Sequence, residues 1–116
     1  MELWNSSWFP VTEVLFRERL YEKLKSLTFK AKYVTGPGRS GAIASVYTSH
    51  YLHIPYVPPK VSIPKGSLLI VDTAVYTGKT IRRLKSWYER RGVEVFSIAI
   101  FEEKRGKFFK FWYEIS

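Results

Sequence analysis

Thr35-Gly36-Pro37-Gly38-Arg39-Ser40-Gly41 and Val71-Asp72-Thr73-Ala74-Val75-Tyr76-Thr77-Gly78-Lys79-Thr80 are the stretches of this 116-residue chain whose residue types and spacing suit a chemical task. In the first, glycines let the backbone approach an anion closely, and the start of a following helix offers unpaired N–H groups and positive dipole. Arg39 adds a forked cationic donor matched to phosphate oxygens. In the second, an apolar run delivers a carboxylate, Asp72, and the hydroxyl–Gly–Lys–hydroxyl turn Thr77 to Thr80 then opens a helix. Thr77, Thr80 and the backbone at Gly78 suit a terminal phosphate, while Asp72 suits the hydroxyls of a ribose. A plainer reading stands beside each: a tight strand-to-helix turn with an exposed arginine, and a capped helix start with a solvated aspartate.

Other constellations are weaker. Gly78-Lys79-Thr80 ends a G-x-x-x-x-G-K-S/T pattern, but its first glycine position is Thr73 and too little chain follows for a nucleoside triphosphatase core. His50 and His53 have no further His or Cys to complete a metal shell. Glu102 and Glu103 are neighbours whose side chains point apart. Lys79, Arg82, Arg83, Lys85, Arg90 and Arg91 crowd one predicted helix. Lys104, Arg105, Lys107 and Lys110 interleave with Phe108, Phe109, Phe111 and Trp112, a mixture suited to RNA or DNA through phosphate pairing and base stacking. A solvated charged helix beside core aromatics explains the same residues.

The elements that must position these groups follow from periodicity. A helix is expected after Pro10 with Thr12 as its N-cap, placing Val14, Leu15, Tyr21, Leu24 and Leu27 on one face. Ala31–Thr35 reads as a short strand. A helix from Ser40 to Leu52 follows, with Ala42, Ile43, Val46, Tyr47 and Tyr51 to pack. Ile54–Val57 is the next expected strand. Pro58 to Gly66, with three prolines, forms a short connection. Leu68-Leu69-Ile70-Val71 does not alternate, as a strand buried on both faces requires. A helix from Lys79 to Arg91 turns Ile81, Leu84, Trp87 and Tyr88 inward and stops at Gly92. Val93–Phe101 and Phe108–Ile115 complete the strands, separated by a charged turn over Glu102–Lys107. Such alternation predicts one α/β domain over residues 1–116: three layers, with a mostly parallel sheet flanked by helices.

Composition bounds the function. Hydrophobic residues make up 46% of the chain, enough for a core, so intrinsic disorder is excluded. No apolar run reaches the roughly 20 residues of a membrane span, and the N-terminus lacks a signal-peptide layout. A cytoplasmic protein without membrane contact is expected. The absence of cysteine excludes disulfides and a cysteine nucleophile. The net charge of +9 favours anionic partners, and the scarcity of Gln, Asn, Cys and Met suggests a thermophile.

The two loops together resemble the type I phosphoribosyltransferases over roughly residues 31 to 103. Gly36-Pro37-Gly38-Arg39-Ser40-Gly41 is similar to the loop that binds the pyrophosphate of 5-phosphoribosyl-1-pyrophosphate (PRPP). Leu68 to Thr80 resembles the PRPP signature of four apolar residues, two acids and Thr-Gly-x-Thr. The resemblance implies a phosphoribosyltransferase that moves phosphoribosyl from Mg²⁺-bound PRPP to a nucleobase or related nitrogen acceptor. Arg39 and Asp72 would be catalytic, Asp72 would meet Mg²⁺ indirectly through the PRPP complex, and Asp72 to Thr80 would hold the ribose and 5′-phosphate. It equally admits a non-catalytic regulator of this fold that binds nucleotide, PRPP or nucleic acid. Three departures stand out. The second acid is Thr73. Tyr76 falls where 6-oxopurine enzymes carry an Asp. Pro58–Ser67 is too short for the usual mobile lid, so a partner subunit in a homodimer, joined through the aromatic-rich chain ends, is the expected cover.

Overall fold

The structure, a computed structural model, describes residues 8–75, 78–102 and 108–114. Its elements run β1 (Trp8–Val11), α1 (Glu13–Lys25), β2 (Tyr33–Thr35), α2 (Gly38–Leu52), β3 (Ser67–Val75), α3 (Lys79–Glu89), β4 (Glu94–Glu102) and β5 (Phe108–Phe111). A three-stranded parallel sheet has the order β2-β3-β4, and β1 pairs in parallel with β5 in a separate two-stranded sheet.

β3 is the central strand, and this explains its unbroken apolar run. Leu68, Leu69, Ile70 and Val71 are all 0% exposed. Side chains alternate across a strand, so Leu69 and Val71 pack with Phe16, Leu20, Leu24 and Ala44 of α1 and α2. Leu68 and Ile70 pack on the other face against Leu84 and Tyr88 of α3. The expected three layers, helices on both faces of a parallel sheet, are present. No helix among the described residues is long and apolar enough to cross a membrane.

Several local expectations are corrected. Pro10 lies in a strand, β1, where it pairs with Lys110; Thr12 is nonetheless the N-cap of α1, its Oγ1 accepting from Leu15 N at 3.2 Å. The buried stripe of α1 is Phe16, Leu20 and Leu24, while Val14 is 50% exposed. In α2 the buried residues are small: Gly41, Ala44, Ser45 and Thr48. Ser45 and Thr48 satisfy their hydroxyls within the helix, on Gly41 O (2.7 Å) and Ala44 O (2.8 Å). That face brings the helix axis close to the sheet, and Val46, expected inward, is 46% exposed.

The expected strand at Ile54–Val57 is a single parallel bridge between Tyr56 and Val34. Val34 N donates to Pro55 O and Val57 N to Val34 O, but Pro55 and Pro58 have no N–H to extend the ladder. α3 stops at Glu89, before a left-handed Gly92. Glu102 belongs to β4 rather than to a turn, and pairs with Lys23 at 2.9 Å. β5 ends at Phe111 because Glu114 closes a turn: its Oε1 accepts from Phe111 N at 3.0 Å. Glu103, Lys104, Arg105 and Lys107 lie outside the described residues.

Candidate functional site

The first loop is built by close packing. A side chain on Gly36 would run into Gly41 O, Val71 O and Ser45 Oγ, so only glycine lets the end of β2 touch both the first turn of α2 and the backbone of β3. Gly41 is equally confined, by Gly36 C and Pro37 Cδ. Gly38 differs: its φ is 66° and nothing lies within 4 Å of where a Cβ would stand. It faces open space.

Pro37 is the N-cap of α2 and supplies no side-chain hydrogen bond, and the first turn carries no acid. The amides at the start of a helix have no intrahelical partners. This terminus therefore offers partial positive charge to an anion without competition from its own cap. Arg39 is exposed beside it, its guanidinium 6.0 Å from the Tyr113 ring centroid.

β3 outruns β2. Thr35, the last residue of β2, pairs with Ile70, while β3 continues to Val75 along β4. Asp72 sits in this overhang, one residue past the carbonyl on which Gly36 rests. Its carboxyl is half-buried, and burial raises its pKa above the usual value, partly offset by Thr73 N, which donates to Oδ1 at 2.7 Å. The other carboxylate oxygen has no hydrogen bond among the described residues and is available to a ligand hydroxyl.

α3 also begins without a side-chain cap or an acid in its first turn, at Gly78 with φ 79°. Lys79 and Thr80 are exposed there, and Ala74 packs into the core. Tyr76 and Thr77 lie outside the described residues, as does the side chain of Val75. Thus the structure brings Gly36–Gly41 together with Asp72 and Thr73, and sets a second uncapped helix start on the chain that leaves the same strand.

Tyr113 was not anticipated as part of this site. Its hydroxyl donates to Ser40 Oγ at 2.6 Å and lies beside the Thr73 side chain, so one phenol reaches from the first loop to the signature strand. Burial raises its pKa, and the Ser40 bond and the Arg39 charge act in the opposite direction. Thr73 itself is only 3% exposed. A carboxylate at that position would be desolvated beneath Tyr113, which gives a physical reason for a hydroxyl there. In the sequence Tyr113 was only one more aromatic near the end of the chain. The aromatic C-terminal segment also works inside the monomer, with Phe111 and Trp112 packed on Phe16.

No protein-family model and no curated protein matches the chain. Solved structures do. A purine phosphoribosyltransferase from Pyrococcus horikoshii superposes at a TM-score of 0.75 with 20% identity, over 95% of this chain and 96% of its own. A xanthine-guanine-hypoxanthine phosphoribosyltransferase from Helicobacter pylori gives 0.73 with 12% identity, covering 93% and 92%. The chain has the fold of the type I phosphoribosyltransferases. A hypothetical protein from Neisseria gonorrhoeae, solved with bound ppGpp, is similar too, at 0.68 and 14% identity over 91% of this chain and 89% of that one. The residues Val57 to Gly66 connect the Tyr56 bridge to β3.

Proposed function

We propose that the chain binds PRPP across its two loops and transfers phosphoribosyl to a nucleobase or related nitrogen acceptor, releasing pyrophosphate. The observation that carries this reading is the meeting of an uncapped helix start, Gly38–Ser40, with Asp72 on the overhang of β3. Anion-binding amides and a ribose-binding carboxylate share one strand end, where ligands of parallel α/β sheets bind.

In the reaction the C1–O bond to pyrophosphate breaks, a C1–N bond forms, and the acceptor nitrogen gives its proton to solvent. Arg39 and the amides of Gly38 to Ser40 hold the departing diphosphate, favouring charge that grows in the transition state. Asp72 holds the ribose hydroxyls, and the start of α3 holds the 5′-phosphate, so orientation is supplied at both ends of the sugar. Mg²⁺ fits as part of the substrate. The described residues contain no group of three or more possible metal-ligating side chains, and Asp72 would meet the ion indirectly, through the PRPP complex. When bound, the ion neutralises leaving-group charge.

A second reading, nucleotide binding without transfer, is favoured by Thr73 beneath Tyr113 and by the short Val57–Gly66 connection, which leaves the site less shielded from water. The ppGpp-bound structural neighbour points the same way.

Calorimetric titration with PRPP and Mg²⁺ tests the site. Losing the charged hydrogen bonds of Asp72 is worth about 1.5–3 kcal/mol, so Asp72→Ala should weaken binding by about 10- to 100-fold. Absence of PRPP binding by the unmodified chain would overturn the reading. Pyrophosphate release in the presence of nucleobases separates transfer from binding alone.

A further inference from the structure

The helix α3 has two faces of opposite character. Leu84 and Tyr88 are buried against the sheet. Lys79, Arg82, Arg83 and Arg90 are exposed on the outward side, and Trp87, half-buried against the same core cluster as expected, borders them. With Lys60 and Ser86 they line an open groove of about 660 Å³ that contains five cationic side chains and no carboxylate. Among the described residues no carboxylate pairs with Lys60, Arg83 or Arg90.

Two details show a shaped surface rather than a loose charged face. Lys60, at the rim, holds a left-handed backbone (φ 61°), a conformation that glycine adopts freely and lysine does not. The Trp87 ring is fixed: the Arg91 guanidinium lies 3.6 Å from its centroid, Arg91 Nη1 donates to Trp87 O at 2.8 Å, and the ring packs edge-on against Tyr88.

We propose that this groove binds single-stranded nucleic acid, with successive phosphates along the basic stripe and an unpaired base against Trp87. From Lys79 to Arg90 the stripe runs about 17 Å at 1.5 Å per residue, longer than one phosphate group spans and suited to a backbone of several. An aromatic set among the cations favours unstacked bases over a duplex, whose bases are already paired. This does not rest on the PRPP reading, because the groove shares only Lys79 with that site.

The test is fluorescence anisotropy with labelled 12-nucleotide oligouridylate and oligothymidylate, using the full chain at 50 mM salt. Four phosphate contacts give a salt slope near −2.8, so affinity should fall about 50-fold between 50 and 200 mM. Preference for oligouridylate would identify RNA as the natural strand, and equal binding would identify a reader of backbone alone; both support the proposal. Arg83→Glu with Arg90→Glu, both exposed, should weaken binding at least about tenfold and leave the PRPP titration unchanged. Lys60→Gly removes a cation where glycine is conformationally at ease, so it should lower affinity while the chain still melts cooperatively. Asp72→Ala should leave oligonucleotide binding intact even if it abolishes PRPP binding. No binding at 50 mM salt, binding indifferent to the arginine reversals, or equally tight binding of polyglutamate would each overturn the proposal.

Discussion

Replacing Gly36 by alanine probes the joint on which the site is built. The added Cβ meets Gly41 O, Val71 O and Ser45 Oγ together. Two of these are main-chain carbonyls, one in the first turn of a helix and one in the central strand, and neither can yield by a rotamer change. Overpacking costs about 1–3 kcal/mol and should sit at the top of that range here. Disturbing the buried Ser45–Gly41 bond (2.7 Å) adds about 1 kcal/mol. A total near 4 kcal/mol lowers the melting temperature of a domain this size by about 15 °C. Gly38→Ala is the internal control: its Cβ meets nothing within 4 Å, and only φ 66° is strained. That strain costs about 1–2 kcal/mol, or about 4–8 °C. Circular-dichroism melts and urea titrations of the two variants measure the difference directly. Equal destabilisation, or a Gly36→Ala variant within about 1 kcal/mol of the parent, would refute the argument that Gly36 is a packing glycine.

Other expectations follow from single groups. The raised pKa of Asp72 means that folding disfavours its ionised form, so its contribution is fully present below the unfolded pKa and is lost as pH rises through the folded one. Asp72→Asn should therefore melt higher than the parent at pH 7, lose that part of the pH dependence, and bind PRPP less well; melts from pH 3 to 8 check the sign. Thr35 Oγ1 is buried without a hydrogen-bond partner among the described residues, so Thr35→Val should stabilise by about 1 kcal/mol in urea unfolding. Tyr113→Phe keeps the ring but removes the 2.6 Å bond to Ser40, and should cost about 1 kcal/mol by the same measurement.

Much of the architecture can be read along the chain because its causes are local. Leu68 to Val71 had to be a strand covered on both sides, since an apolar run that does not alternate has no face for water. Thr12 was recognisable as a cap, and Gly92 as a stop, because each does its work within one helical turn. Helix faces were less legible. Apolarity alone put Val14 and Val46 inward, but the spacing between helix and sheet is set by both partners. At α2 that spacing is small enough to select Gly41, Ala44, Ser45 and Thr48.

The sequence by itself determined the three helices, the buried central strand, the two glycine-bearing turns and the position of Asp72, all of which depend on residues within a few places of one another. The tertiary structure decided what those turns face. It showed Gly36 wedged against β3, and β3 extending past β2 to expose Asp72. It brought Tyr113 across the fold to bond Ser40 beside Thr73, and set Lys60 opposite the basic stripe of α3. Such contacts join residues far apart in the chain, and they exist only once the sheet register and the helix distances are fixed.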